Sequence, residues 1–182
     1  MSRRSDGPPP EPAERPVIIR RTVRVVTIDD RERVLLFADS DPGLPDRSWW
    51  VVPGGGMDPG ETEAGTAVRE LAEETGCRVA EGQLLGPIAH RHVVHGYSDQ
   101  VVDIVSESFY AVRVPAFTVD IAGHTEDEQL TLTGHRWWTG DELGATDDWL
   151  WPACLPDLVE RVLAGDHQLV ELGDMEESTL PA

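Results

Sequence analysis

Residues 55–77, GGMDPGETEAGTAVRELAEETGC, constrain this 182-residue chain more than any other segment. Behind a glycine-rich loop, the segment places one arginine and four glutamates at fixed spacing. The pattern consists of Gly55, Glu61, Arg69, Glu70, Glu73, Glu74 and Gly76. At ordinary amino-acid frequencies a chance match to all of these positions has a probability of about one in a million. The segment therefore indicates a functional site.

The spacing of apolar residues predicts a helix over 62–75. Its apolar positions recur every three or four residues and form one stripe, made of Ala64, Ala67, Val68 and Leu71. Thr62 is a suitable N-cap, and Gly76 suits the left-handed conformation that ends many helices. The glycine-rich loop thus leads directly into an amphipathic helix.

Three carboxylates share one face of this predicted helix. At about 100° per residue, Glu70, Glu73 and Glu74 fall within an arc of about 100° that lies away from the apolar stripe. Like charges at this spacing destabilise a helix by about 0.2–0.5 kcal/mol per pair. A divalent cation removes the repulsion, and Mg²⁺ or Mn²⁺ suits a set of carboxylates that acts together with substrate phosphates. An ordinary solvated helix face is the competing interpretation.

Arg69 is assigned to the architecture of the site. Its guanidinium can reach Glu73 one turn later, and a loop that folds back would bring Glu61 beside it. A bidentate arginine pair fixes the orientation of a carboxylate, as a metal ligand or its support requires. The loop 53–60, PGGGMDPG, permits close backbone approach to a ligand or to the helix.

With these residues in place, the chain resembles the Nudix hydrolase family, whose signature G-x5-E-x7-R-E-U-x-E-E-x-G-U it matches at every fixed position. Only Cys77 departs, where the family prefers a bulky aliphatic residue. The resemblance implies an α/β fold, an α/β/α sandwich around a mixed sheet with a loop-helix-loop catalytic motif. It also implies that Glu70, Glu73 and Glu74 bind Mg²⁺ or Mn²⁺. Gly55, Glu61, Arg69 and Gly76 are expected to support that site.

The resemblance implies a Mg²⁺-dependent hydrolase that cleaves the diphosphate linkage of a nucleoside diphosphate joined to another group. One glutamate of the signature would act as the base that deprotonates water, and Glu70 is a candidate. A Nudix-fold module that senses a nucleotide without cleaving it is the main alternative, although such domains often lose box glutamates that this chain keeps. An isopentenyl diphosphate isomerase is a weaker alternative, because Cys77 at the helix end is poorly placed to donate a proton. The substrate itself stays open.

The remaining sequence predicts one domain with two flanking segments. Residues 1–16, rich in proline and charge, predict a disordered arm, 17–168 the Nudix domain, and 169–182 a loose acidic tail. β-Branched runs and turn residues predict strands near 17–28, 32–38, 48–53, 84–94, 100–114 and 133–139. A second helix is predicted at 152–164, between Pro152 and Gly165.

Composition favours a cytoplasmic protein that acts on small molecules. We expect no signal peptide and no membrane span, because no apolar stretch is long enough. Two cysteines are too few for a disulfide framework. The net charge of −19 disfavours duplex nucleic acid as a partner, whereas a small anionic nucleotide can still bind through metal ions and arginines. A homodimer stays open.

Two further clusters lie outside the signature. His90, His92 and His95 lack the spacing of a zinc site, so a strand pair that lines the substrate cleft is a better functional interpretation than zinc, and surface positions are the alternative. In the segment 124–129, HTEDEQ, an acidic loop lies between predicted strands. Several relatives supply an extra carboxylate from a comparable loop, so Glu128 is the predicted additional ligand or base. A solvated loop is the alternative.

Overall fold

A computed structural model describes residues 14–182, and within them the chain forms one mixed sheet of nine strands with four α-helices. The elements are β1 (Val17–Ile28), β2 (Val34–Asp41), β3 (Leu44–Val51), β4 (Gly54–Gly56), α1 (Glu63–Thr75), β5 (Leu85–Gly96), β6 (Val101–Arg113), α2 (Glu126–Thr131), β7 (Gly134–Trp138), α3 (Gly140–Ala145), β8 (Leu150–Trp151), α4 (Leu155–Leu163) and β9 (Val170–Glu176). The six strands predicted from the sequence are all present.

The sheet has the order β8-β3-β2-β1-β6-β5-β9, with β4 paired to β1 and β7 paired to β2. β1 runs parallel to β6 along its whole length, whereas β5 and β6 form an antiparallel hairpin. The long β1–β6 pair therefore lies in the middle of the sheet. β4, which carries the glycines of the signature, runs antiparallel to β1.

Helices cover both faces of this sheet. On one face α1 packs Ala67 and Leu71 against Val23 and Val25 of β1. On the other face α4 buries Leu155, Leu158, Val159 and Val162 against alternate residues of the same strands. This arrangement confirms the predicted α/β fold with a mixed sheet.

Helix α1 confirms the prediction for 62–75. The Thr62 hydroxyl accepts a hydrogen bond from the Gly65 amide at 3.0 Å. At the other end Gly76 has a φ of 74° and donates its amide to the Ala72 carbonyl. Thr62 and Gly76 thus fix the two ends of the helix that carries Glu70, Glu73 and Glu74.

The C-terminal segment differs from the expected loose tail. Val170–Glu176 is a strand that pairs in parallel with β5, and residues 177–180 continue along the turn after β5. Cross-strand contacts of His90 with Glu171 and of His92 with Asp174 offset the acidic character of this strand. Val170–Glu176 is therefore part of the sheet, and the domain boundary at residue 168 stays a prediction.

The predicted N-terminal arm lies mostly outside the described residues, because 1–13 are not part of them. The remaining part of the arm includes Arg15, which is buried and donates hydrogen bonds to the carbonyls of Tyr97 and Pro181. None of the helices in residues 14–182 has the length and apolar character needed to cross a membrane.

Three helical predictions need correction. The second long helix begins at Leu155, with Cys154 as its N-cap, and not at Pro152. The acidic loop near 124–129 contains the short helix α2, and α3 lies where no helix is predicted. Both short helices begin with a capping box, formed by Thr125 with Glu128 and by Thr139 with Glu142. The Thr-x-x-Glu spacing is a sequence signal that predicts such helix starts.

Candidate active site

Three carboxylates converge where α1 faces α2. Glu70, Glu74 and Glu128 each offer an oxygen, and these oxygens lie within 4.8 Å of one another. Glu70 and Glu74 are buried, with 7% and 5% exposure, whereas Glu128 is partly exposed. Oxygen donors at this separation match what Mg²⁺ or Mn²⁺ takes from a protein.

The environment of the cluster disfavours charge in the absence of a cation. Burial raises the pKa of Glu70, although Arg69 partly lowers it. Burial also raises the pKa of Glu74 well above its usual value, and the neighbouring carboxylates Glu70 and Glu128 add to the effect. A divalent cation would compensate both burial and repulsion, so the residues present fit a metal ion.

Arg69 holds the signature together. Its Nε and Nη2 bind the two oxygens of Glu61 at 2.7 and 2.9 Å, and Nη2 also donates to the Gly56 carbonyl at 2.9 Å. Nη1 binds Glu70 at 2.8 Å and Glu73 at 3.0 Å. Hydrogen bonds from Arg69 lower the pKa of Glu61 to about 2. The arginine thereby orients Glu70 and fastens the loop to the helix, as an architectural role requires.

Two glycines let the loop lie directly against these glutamates. Gly54 has a φ of +144°, and its amide donates to Glu74 Oε2 at 2.8 Å. A Cβ atom on Gly55 would lie 2.6 Å from a carboxylate oxygen of Glu70. The absence of a side chain at Gly55 therefore leaves the space that the Glu70 carboxylate occupies.

Glu73 and Glu128 differ from the other two glutamates. The Glu73 carboxylate is about half exposed, lies outside the cluster and binds Arg69, so its predicted role as a ligand stays a prediction. Oε2 of Glu128 accepts hydrogen bonds from the amide and hydroxyl of Thr125 at 2.6 and 2.8 Å. This capping box fixes the Glu128 side chain at the N-terminus of α2, where it faces α1.

The cluster lies in a cleft of about 670 Å³. The cleft extends from the glutamates over β1, β2 and β3 to the end of β5 and the turn that follows, where His95 and Tyr97 line it. Of the three histidines singled out in the sequence, His95 alone is among the lining residues. His90 and His92 contact Glu171 and Asp174 on β9 instead.

The sequence pattern of the NUDIX domain matches residues 18–157, which is most of the chain. The chain belongs to the NUDIX family. This result confirms the family inferred from the signature, and the match includes every strand and helix that lines the cleft.

The proteins to which this chain is similar include hydrolases named for different substrates. Diphosphoinositol polyphosphate phosphohydrolase 3-beta of Bos taurus is 39% identical over 82 residues, 43% of this chain and 48% of that protein. The match thus spans about half of this curated relative. The dihydroneopterin triphosphate pyrophosphohydrolase of E. coli has a TM-score of 0.57 at 20% identity, over 81% of this chain and 99% of that one. An Ap4A hydrolase binary complex of C. elegans has a TM-score of 0.54 at 19% identity, over 80% and 98%. At these identities the two structures support the fold alone.

A buried charge network lies beneath the floor of the NUDIX cleft, and the sequence analysis did not predict it. Glu107 is fully buried and binds Arg24 at 3.0 Å, Arg91 at 2.6 Å and the Thr22 hydroxyl at 3.0 Å. Burial alone would raise the pKa of Glu107, but Arg24 and Arg91 lower it to about 2. Charged residues inside strands rich in β-branched residues are the signal that could have revealed the network.

Proposed function

We propose that this protein is a Mg²⁺- or Mn²⁺-dependent hydrolase that cleaves the diphosphate linkage of a nucleoside diphosphate derivative. The observation on which the proposal rests is the convergence of Glu70, Glu74 and Glu128 at one end of a large cleft. The curated Bos taurus relative is named a phosphohydrolase, which supports hydrolysis of a phosphorylated small molecule.

Glu70, Glu74 and Glu128 would hold the cation, with Glu73 within one helical turn as a further ligand. A bound Mg²⁺ supplies charge neutralisation for diphosphate oxygens and lowers the pKa of a coordinated water. The residues of the chain position the reactants. Gly54 fixes one oxygen of Glu74, and Arg69 fixes one oxygen of Glu70.

A carboxylate in this cluster would also accept the proton of the attacking water. Glu128 is suited to the role because its Oε2 is engaged by Thr125, while the carboxylate still reaches the cluster and is partly exposed to the cleft. Glu70 is the second candidate.

A nucleotide-sensing module without hydrolytic activity is the alternative class. The intact set of signature glutamates favours the enzyme, since sensing alone does not require a preformed cluster of buried carboxylates. The two free, partly buried cysteines support the expected cytoplasmic location. A homodimer stays a prediction.

Chromatographic separation of the products formed from a panel of substrates tests the proposal. The panel contains nucleoside triphosphates, ADP-ribose, dinucleoside polyphosphates and a diphosphoinositol polyphosphate, each with Mg²⁺, Mn²⁺ or chelator. We expect turnover that requires the metal and that falls at least about 100-fold in Glu74→Gln, because glutamine keeps the bond to Gly54 but loses the charge. Glu160→Gln, an exposed change on α4, is the control. Thermal stabilisation by a nucleotide without turnover would support the sensing module instead.

A further inference from the structure

Arg24 on β1 belongs to the buried charge network and also lines the cleft. Its neighbours Val23 and Val25 pack against α1 on one face of the sheet. Because side chains alternate along a strand, Arg24 points to the other face. Its side chain is only 19% exposed. A mostly buried arginine is costly unless its donors are used, so the partners of Arg24 indicate its role.

The guanidinium of Arg24 binds the backbone of the glycine segment that precedes α1. Its Nη1 donates to the Gly54 carbonyl at 3.2 Å, and the Val52 carbonyl lies 3.5 Å from the same nitrogen. The amide of Gly54 in turn donates to Glu74 Oε2 at 2.8 Å. Gly54 is thus held by Arg24 through its carbonyl and by Glu74 through its amide.

The strand pairing leaves Gly54 dependent on these two side chains. In an antiparallel pair, alternate residues exchange hydrogen bonds with the partner strand. The Val25 amide binds the Pro53 carbonyl, so the next residue, Gly54, directs its own amide and carbonyl away from β1. Gly54 also has a φ of +144° and no side chain that restricts its backbone. The direction of its amide therefore depends on the contacts with Glu74 and Arg24.

Glu107 fixes the guanidinium of Arg24 from the other side. It is fully buried, and its Oε1 accepts from Arg24 Nε at 3.0 Å while its Oε2 accepts from Arg91 Nε at 2.6 Å. Because Nε and Nη1 belong to one planar group, the bond at Nε sets the direction in which Nη1 donates. A continuous path of hydrogen bonds therefore leads from Glu107 through Arg24 and Gly54 to Glu74.

We propose that Arg24 is a positioning residue of the metal site: held by Glu107, it orients Gly54 and thereby the carboxylate of Glu74 towards the cation. This inference rests on the proposed function, because it assigns a role within the same site to a residue outside the signature. A positive charge beside a cation site repels the cation. Arg24 therefore favours Mg²⁺ through the orientation of Glu74 and not through its charge.

Calorimetric titration of the substrate-free protein with Mg²⁺ separates orientation from charge. Arg24→Lys keeps the positive charge but lacks the planar group that joins Glu107 to Gly54. We expect Mg²⁺ to bind about tenfold more weakly to this variant than to the wild type. Arg24→Gln should also bind Mg²⁺ more weakly, whereas loss of the charge alone would strengthen binding.

Turnover provides a second measurement. With a hydrolysed substrate at saturating Mg²⁺, Arg24→Lys should lower kcat about tenfold and change KM by less than about threefold. The reason is that a displaced Glu74 impairs the metal site, while the rest of the cleft is unchanged.

Arg33→Gln is the matched control. Arg33 donates through Nε and Nη2 to Asp29 in the turn after β1, so this variant also deprives a buried carboxylate of its arginine. Among the described residues that line the cleft, neither Arg33 nor Asp29 is present. The variant should lose stability in urea denaturation but keep the wild-type Mg²⁺ affinity and kcat. If Arg24→Gln does not fold, Arg24→Lys and this control decide the question.

The outcomes separate this inference from the proposed function. If the wild type neither binds Mg²⁺ nor hydrolyses any substrate of the panel, the proposed function itself fails. If the wild type does both and the Arg24 variants keep its Mg²⁺ affinity, the role of Arg24 is overturned while the hydrolase stands. A higher KM with unchanged Mg²⁺ affinity would make Arg24 a substrate contact and also overturn the inference. Wild-type affinity in Arg24→Lys with weaker affinity in Arg24→Gln would assign the effect to charge and likewise overturn it.

Discussion

Glu107 is the residue on which the centre of the sheet most depends. Its carboxylate is fully buried between Arg24 and Arg91, so its removal leaves two arginines without their shared partner. We expect Glu107→Gln to lower the free energy of unfolding by about 3–5 kcal/mol, measured by urea denaturation. Glu160→Gln on the exposed side of α4 should change it by less than about 0.5 kcal/mol. Equal stabilities of the two variants would contradict the importance of the network.

His95 makes stability depend on pH. Burial lowers the pKa of His95 to about 4 from an ordinary value of 6.5, and the ring stacks on Trp151 at 4.9 Å. The folded protein disfavours the protonated form of His95. The contribution of His95 to the free energy of unfolding is therefore complete above pH 6.5 and is lost as the pH falls through 6.5 towards about 4.

Protonation of His95 should lower the free energy of unfolding by about 3 kcal/mol between pH 6.5 and about 4. The free energy of unfolding of His95→Gln should be lower at pH 7 but should fall less steeply between pH 6.5 and 4 than that of the wild type. Burial raises the pKa of the neighbouring Glu177, which acts in the opposite direction, so the difference between the two slopes is the quantity to measure. Identical slopes would show that His95 does not titrate in this range.

At the scale of elements, neighbouring glycines of β4 have different roles. A side chain at Gly54 would clash with the backbone carbonyl of Val23, and its φ of +144° already disfavours any other residue. A side chain at Gly55 would meet only the flexible end of Glu70. A side chain at Gly56 would meet nothing within 4 Å.

These contacts predict different effects of the same change. We expect Gly54→Ala to lower the melting temperature markedly, because the backbone of β1 or β4 must move. Gly55→Ala should keep the melting temperature but weaken Mg²⁺ binding about tenfold, measured by calorimetry, because Glu70 is displaced. Gly56→Ala should change neither. Normal Mg²⁺ affinity in Gly55→Ala would show that the Glu70 carboxylate does not need this space.

The elements also show how far the sequence predicts the fold. Helix α1 follows from its sequence because its caps, apolar stripe and glutamates all lie within one short segment. Strand β9 does not, because VELGDME has an acidic composition and is stabilised by side chains of β5. Glu128 joins Glu70 and Glu74 only through the packing of α2 against the cleft, so its spacing along the chain contains no signal of the cluster.

At the scale of the whole molecule, the segment 177–180 holds one side of the cleft. Thr179 donates its hydroxyl to Asp41 Oδ2 at 2.5 Å, and the same oxygen accepts the Ser98 amide at 2.8 Å. The amides of Thr179 and Leu180 bind the Gly96 carbonyl. The turn between β5 and β6, which lines the cleft, is thereby connected to β2.

We expect Thr179→Val to lower the free energy of unfolding by about 1–3 kcal/mol, because buried Asp41 loses one of its donors. The KM for the hydrolysed nucleotide should rise as the turn loosens, while kcat changes less, since the glutamate cluster lies elsewhere. Thr118→Val, at an exposed position, is the control. A variant whose stability and KM both equal those of the wild type would contradict this role for the segment.

Val170–Glu176 leaves the ribosome after every other strand of the described sheet, and residues 177–180 follow it. A nascent chain translated as far as α4 already contains α1 and α2 with the glutamates of the cluster. The turn between β5 and β6 is not yet connected to β2 through Thr179, because residues 177–180 have not been synthesised. The cleft can therefore reach its complete form only after residues 177–180 have been synthesised.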